Sequence, residues 1–548
     1  MALNSEQNLD PNDSKKDIKS WSMYILESLG SKKDIKSWSM YIYNGLKQHP
    51  GANLSQIEAD TGRTLTYSEV LNKCACLVPG LVSLGVNRNS KIMIFTYNSQ
   101  EAHLLILSCI FIGAAIVPTD PSYQDDEILY LLNLIEPDII FSEKGSIFER
   151  LHNVLPLINF AKPRLIKNDN ESPDLKFVDL LFEADPDFTP LYKISEDDHV
   201  FAIMFSSGTT GRPKSIMLPD SYFLNEREGR ATGQRTLILS SVSWGSGLYS
   251  LTSSINRGYT MLYFQERKGE VYLLETVQKY KVKAIVGNPS FFLRMAFHPR
   301  LSEYDTSSLI FLYSLGAGLR KENQQLISTK LLNGCNTLLQ VYGATEMGVG
   351  VASSLSENRM GSCGRVVKGV DFKVIDPQTG NVVGANVEGE LYFRRSNLML
   401  GYFKDPISTA AAIDKDGWYR TGDIGHFDND GFVYILDRMK EIINYKNHKI
   451  SPSDIEYSLL KHPKIEGVLA VGVPHPKDGE WPAVIVVCKE DISRKEIIDY
   501  IAANMSEEFV PRGGIEFSDS IPEVNGKIRR CIKEKYLPIF LKDLKNKD

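Results

Sequence analysis

From Thr64 onward, stretches with a helical spacing of apolar residues alternate with short, continuously apolar ones. Thr66–Leu84 reads as helix, Lys91–Thr96 as strand, Gln100–Ile112 as helix and Ala114–Val117 as strand. Repeated exchange of the two periods confines the chain to an α/β architecture with largely parallel sheets. The longest apolar run, Leu104 to Val117, is too short for a comfortable membrane span. It is expected to be a buried helix leading into a core strand.

Near Gly389-Glu390-Leu391-Tyr392-Phe393 the texture changes to short strands and turns, through Phe432–Leu436. Beyond Asp437-Arg438 the pattern predicts helices near Ser453–Leu460 and Arg494–Met505, and strands at Gly467–Val473 and Ala483–Lys489. That is an α+β domain of about a hundred residues. Three regions are expected: a polar segment 1–45, a large domain 46–436, and a small domain 437–548 opening at Asp437. The polar segment carries a duplicated 12-residue unit, Ser14–Ile25 and Ser31–Ile42. Two copies are too few for a solenoid and are given no chemistry.

Composition narrows the partners. The chain has 548 residues, 43% hydrophobic and 24% charged, with net charge -6. That balance offers no reason to expect nucleic acid or an anionic membrane as partner. Seven cysteines without regular spacing fit a reducing compartment rather than a disulfide framework. Cys74 and Cys76 are expected to be buried core thiols. No apolar leader is evident, the C-terminal residues are not a Ser-Lys-Leu address, and the cytoplasm is the expected location.

The motif richest in chemistry is Ser206-Ser207-Gly208-Thr209-Thr210-Gly211-Arg212-Pro213-Lys214, entered from the apolar run Val200–Phe205. Its hydroxyls, close-approach glycines and lysine suit a polyphosphate, but it lacks the Walker A order. Four more stretches accompany it. Gly316-Ala317-Gly318 is a small-residue turn that can pass beneath a flat ring. Gln340-Val341-Tyr342-Gly343-Ala344-Thr345-Glu346 is expected to follow a strand at Thr337–Leu339. Tyr419-Arg420-Thr421-Gly422-Asp423 puts a carboxylate on a glycine turn, suited to vicinal hydroxyls. Asn525-Gly526-Lys527 presents a lone lysine on a tight turn. Taken singly, each is more often structure than function.

In this order the motifs resemble the adenylate-forming superfamily: acyl- and aryl-CoA ligases, peptide-synthetase adenylation domains and beetle luciferases. The resemblance runs from Arg63 through Tyr536. It is nearest to the 4-coumarate–CoA ligase and beetle luciferase branch in Asp414-Lys415-Asp416-Gly417-Trp418-Tyr419-Arg420-Thr421-Gly422-Asp423 and Pro511-Arg512-Gly513-Gly514. It implies a large α/β domain with stacked sheets, a small mobile α+β C-terminal domain, and activation of a carboxylic acid by MgATP. By the match, Ser206 to Lys214 hold the β- and γ-phosphates, Thr345 bonds the α-phosphate, and Glu346 binds Mg²⁺. Tyr342 stacks on adenine beside Gly316-Ala317-Gly318, with Gln340 and Gly343 in the same stretch. Asp423 takes the ribose hydroxyls, assisted by Arg438. Lys527 bridges carboxylate and α-phosphate, and Asp437 is the hinge.

Several positions depart from the branch. Ile443-Asn444-Tyr445-Lys446-Asn447 stands where Ile-Lys-Tyr-Lys-Gly is usual, so Asn444 replaces the lysine of the second half-reaction and Asn447 a glycine. Slowed or altered transfer to CoA is the expectation, with Lys446 or Lys449 as nearby charges. Lys214 is followed by Ser215 rather than glycine, and Asp220 replaces a common histidine. Ser243-Trp244-Gly245-Ser246-Gly247 matches His-His-Gly-Phe-Gly, making Trp244 and Ser246 candidates for the acyl pocket. Three readings stay open: a ligase using ATP, Mg²⁺ and CoA, a luciferase using O₂ on the adenylate, and a nucleotide-binding protein of reduced catalysis.

Overall fold

The computed structural model describes residues 37–168, 175–193, 198–206, 213–223, 231–266, 268–446, 448–521, 523–524, 527–528 and 533–545. Its fold is mixed α/β, as the alternation requires: a large N-terminal part and a smaller C-terminal one.

The helix Gln100–Ile112 shows why the sheets stack. It is apolar on every side and lacks a polar face, so it cannot lie at a surface. Leu105, Ile106, Leu107 and Phe111 are fully buried, each contributing roughly 2 kcal/mol of burial. The Ser99 side chain caps its start, and Gly113 ends it at φ 86°. A Cβ at Gly113 would sit 2.8 Å from the Tyr192 ring, so glycine is required there for both conformation and space. The neighbouring helix Tyr67–Ser83 starts in a capping box between Thr66 and Glu69, worth about 1 kcal/mol.

Two large sheets share the core that contains these helices. In the eight-stranded sheet, Val200–Ser206, Ala115–Thr119, Lys91–Phe95, Ile139–Glu143, Arg164–Asn168 and Leu175–Lys176 run parallel, while Lys214–Pro219 and Gly401–Tyr402 close one edge antiparallel. In the nine-stranded sheet, Leu54–Glu58, Thr260–Tyr263, Arg235–Ile238, Ala284–Gly287, Phe311–Leu315 and Leu338–Ala344 run parallel. A third sheet, five-stranded and antiparallel, includes Gly389–Arg394, Tyr419–Phe427 and Val433–Arg438.

The C-terminal part is built on the hairpin Ile465–His475 with Gly479–Cys488, joined by Ile443–Tyr445 and His448–Ile450 and by the parallel strand Gly514–Phe517. Helices Pro452–Leu459 and Arg494–Asn504 pack on it.

Three expectations shift. The strand placed at Thr337–Leu339 extends through Ala344, because Gly348–Ala352 pairs with its second half. Cys74 is buried, but Cys76 is only partly so. The described end of the second copy, Ser37–Ile42, opens helix Trp38–Gln48, whose Trp38, Ile42 and Leu46 sit in the main core. The expected border at 45/46 therefore falls inside a helix; the first copy lies outside the described residues. Among the described residues no helix is long and apolar enough to cross a membrane.

Candidate functional site

In open parallel sheets, ligands collect at the carboxyl ends of the strands. Strand Leu338–Ala344 carries Gln340, Tyr342, Gly343 and Ala344 at such an end, with Thr345 and Glu346 directly after it. Strand Phe311–Leu315 next to it delivers Gly316-Ala317-Gly318. Gln340 is buried and its amide is spent on the turn: Nε2 donates to the carbonyls of Leu319 (2.9 Å) and Ser362 (3.1 Å), and Oε1 accepts from the Leu319 N–H (3.0 Å). Gln340 therefore braces the 316–319 turn from within the fold.

Two polar clusters flank this segment. At one end, the Tyr342 hydroxyl donates to Asp423 Oδ2 at 2.6 Å, and Arg438 Nε lies 3.5 Å from Oδ1. Asp423 and Arg438 are register partners across adjacent strands. Burial, reinforced by the Asp423 charge, pushes the Tyr342 phenol well above its usual range, so it remains a donor.

At the other end, Oε1 of Glu346, a largely buried side chain, accepts from the Tyr402 hydroxyl at 3.0 Å. Nζ of Lys214 lies 4.7 Å from the centroid of the Tyr402 ring, within cation–π range. Burial, then Glu346, raises the Tyr402 phenol far above its usual range. Ser206 and Lys214 face each other in register across two antiparallel strands. Ser207, Gly208, Thr209, Thr210 and Gly211 lie outside the described residues. No motif in the sequence pointed to Tyr402. Its place depends on Gly401 pairing with Met217 across the sheet edge, and local spacing carries no trace of that.

Thr345 accepts from the Tyr222 hydroxyl through its carbonyl at 2.9 Å. Its Oγ1 faces Gly245, the first residue of helix Gly245–Arg257; a Cβ there would stand 3.5 Å away. At Gly247 a Cβ would fall 2.0 Å from the Ser241 carbonyl, so only glycine lets the helix start this close. Trp244 precedes it, half-buried, with Nε1 donating to Asp120 Oδ2 at 3.2 Å. The Ser246 hydroxyl donates to Ser240 Oγ at 2.9 Å.

Toward the C-terminus, Asp437 Oδ2 accepts from Ser451 (2.6 Å) and Ser453 (3.2 Å), and Arg320, directly after the 316–319 turn, pairs with Asp454. Asn444 is exposed; its Nδ2 donates to the Ile442 carbonyl at 3.3 Å and its N–H to Glu480 at 2.8 Å. Lys449 Nζ lies 3.8 Å from Glu388 and Lys446 Nζ lies 5.1 Å from the Tyr445 ring. Asn447 and the side chain of Lys527 lie outside the described residues; the backbone of Lys527 pairs with Val524 in a two-strand hairpin.

Among the described residues no group of three or more His, Cys, Asp or Glu side chains could hold a metal by itself. A lone carboxylate such as Glu346 suits Mg²⁺, which is usually bound through one or two carboxylates together with phosphate oxygens and water. The Tyr402 bond occupies one oxygen of Glu346 and leaves the other.

The family model described as AMP-binding enzyme matches residues 45–403, and that described as AMP-binding enzyme C-terminal domain matches residues 454–527. The luciferin 4-monooxygenase of Photinus pyralis is 31% identical over 492 residues, covering 86% of this chain and 88% of that protein. The 4-coumarate–CoA ligase 1 of Petroselinum crispum is 31% identical over 495 residues, covering 86% and 89%. Among solved structures, an anthranilate CoA ligase in complex with anthranoyl-AMP superposes with a TM-score of 0.80 at 20% identity, covering 92% of this chain and 98% of that one. At that identity the likeness concerns the fold.

Proposed function

This chain belongs to the AMP-binding enzyme family, and from that premise we propose that it activates a small-molecule carboxylic acid with MgATP and passes the acyl group to CoA. The carboxylate oxygen attacks the α-phosphorus, the α–β phosphoanhydride bond breaks, and pyrophosphate leaves. The CoA sulfur then attacks the acyl carbon and AMP departs. Two anions must meet in the first step, so positive charge and oriented donors have to be concentrated there.

The observation that carries this reading is the placement of both polar clusters on one segment. Tyr342, bonded to Asp423, and Glu346, bonded to Tyr402 beside Lys214, are four residues apart. That spans at most about 14 Å of chain, which suits one nucleotide laid along it. In this reading Asp423 and Arg438 take the ribose and Tyr342 the base, against the turn Gly316-Ala317-Gly318. Lys214, Ser206 and the residues between them take the β- and γ-phosphates, Thr345 the α-phosphate and Glu346 the Mg²⁺. Lys527 arrives from the small C-terminal domain, which turns about Asp437 between the two half-reactions. The cytoplasm, with its ATP and CoA, suits such an enzyme.

A luciferase reading, in which O₂ oxidises the adenylate with emission of light, is supported by the 31% identity to the luciferin 4-monooxygenase of Photinus pyralis; Asn444 weighs on both readings, because the lysine it replaces is usual in ligases and luciferases of this branch alike. A pyrophosphate-release screen across fatty, cinnamic and heteroaromatic acids tests the first step. Silence with all of them would sink the enzyme reading and leave a nucleotide-binding protein. Product analysis with CoA, and photon counting with and without it, then separate ligase from luciferase.

A further inference from the structure

The adenylation chemistry has no task for Asp120. It follows strand Ala115–Thr119 and is almost fully buried. Oδ1 accepts from the Ser122 N–H at 2.9 Å; Oδ2 lies 3.3 Å from Ser243 Oγ and accepts from Trp244 Nε1 at 3.2 Å. Among the described residues no lysine or arginine forms an ion pair with it. Burying a carboxylate without a cation is costly, and fixed donors only partly offset that cost. A buried carboxylate held by three donors, with no cation paired to it among the described residues, points to a role beyond packing.

The role lies in what its donors do next. Trp244 is the residue before helix Gly245–Arg257, and Gly245 abuts the Thr345 side chain. Trp244 is thus the chain neighbour of the residue that abuts Thr345, and its indole N–H is held by Asp120. An indole anchored only by its own rotamer swings about χ2. One whose N–H is held by a buried carboxylate keeps a single orientation and presents a fixed flat face. We propose that Asp120 is a positioning residue that locks the Trp244 indole as one wall of the acid subsite, so that the enzyme prefers planar aromatic acids to straight-chain aliphatic ones. A rigid ring favours offset stacking with another ring, whereas a flexible alkyl chain gains nothing from its orientation.

This inference rests on the adenylation reading, and its test keeps the two apart. The full chain, with ATP and Mg²⁺, is assayed for pyrophosphate release with 4-coumarate and octanoate as probes, in wild type and in W244L, W244F, D120A and D120N. Wild type is expected to favour 4-coumarate in kcat/KM. W244L should lower the 4-coumarate to octanoate ratio about tenfold, and W244F and D120A at least threefold, by raising KM for 4-coumarate while KM for ATP stays put, on the scale of a ring-stacking contact. D120N, which keeps an acceptor for the indole, should retain most of the ratio. A wild-type preference for octanoate overturns the proposal, as does an unchanged ratio in D120A. If D120A does not fold, D120L decides, since it fills the same space with apolar atoms, accepts no hydrogen bond and leaves the indole whole; an unchanged ratio in D120L overturns the proposal. Calorimetry of 4-coumarate binding without ATP reads the wall independently of turnover. Binding that weakens in W244L, together with no pyrophosphate release from any acid, would sink the adenylation reading and leave the wall standing.

Discussion

The Tyr402 hydroxyl bonds Glu346 at 3.0 Å while the ring of the same residue lies 4.7 Å from Lys214 Nζ. One phenol thus contacts both an anion and a cation, the charges proposed for metal and phosphate. Tyr402→Phe keeps the ring and removes only the bond to Glu346. A hydrogen bond to a charged group contributes about 1.5 kcal/mol or more, so kcat/KM for MgATP should fall about tenfold, with a higher Mg²⁺ requirement. Pyrophosphate release titrated against Mg²⁺ checks it; an unaltered Mg²⁺ profile would detach Tyr402 from the metal end.

At the other end, Asp423 holds Tyr342 through one oxygen and faces Arg438 with the other. Asp423→Asn keeps the shape and loses the charge. Losing charge-assisted bonds of this kind costs about 1.5–3 kcal/mol. The Michaelis constant for ATP should rise at least tenfold, while that for the acid stays nearly constant. Equal rises in both would indicate a general disturbance of the segment rather than a nucleoside site.

How much of this was legible in the sequence differs from element to element. Helix Gln100–Ile112 and strands Val200–Ser206 and Lys91–Phe95 were readable because their apolar pattern is local and strong. The continuation of Leu338–Ala344 through Tyr342-Gly343 was not, since a distant antiparallel partner, not propensity, makes it a strand. Residues 340–346 were recognisable as a unit, and the structure adds that Gln340 serves the turn rather than facing outward. Tyr402 and Asp120 were invisible for one reason. Their partners lie 56 and 124 residues away, and a lone tyrosine or aspartate carries no motif.

Asp454 gives the fold a pH dependence. Burial raises its carboxyl to about 7; Arg320 opposes this, while Asp437, Glu322 and Glu456 add to it. Because the folded pKa exceeds the ordinary 3.8, the folded state binds this proton more tightly than the unfolded chain does. The stability it supplies is complete below about pH 4 and is lost as pH rises toward 7, by at most about 1.4 kcal/mol per unit. Asp454→Asn cannot titrate. Its melting temperature should therefore decline less than that of the wild type between pH 4.5 and 7, with parallel curves above. Parallel curves throughout would mean that Asp454 ionises normally.

The Asn444 position offers the sharpest view of the second half-reaction. Its side chain is exposed and, among the described residues, bonds only the carbonyl of Ile442, while its backbone N–H is held by Glu480. A lysine fits there without disturbing packing, since the strand Ile443–Tyr445 is fixed by main-chain pairing with His448–Ile450. The nearby cations are poor substitutes: Lys449 faces Glu388 and Lys446 lies over Tyr445. Asn444→Lys should therefore leave pyrophosphate release unchanged and speed CoA-dependent release of the acyl group about tenfold, the scale of one well-placed charge-assisted contact. Lys527→Ala should do the reverse, cutting pyrophosphate release by about a hundredfold or more while preformed acyl-adenylate still reacts with CoA. Single-turnover measurements from acid plus ATP, and from synthetic adenylate plus CoA, resolve the two steps. If both variants act on the same step, the C-terminal lysine and the Asn444 loop do not divide the reaction between them.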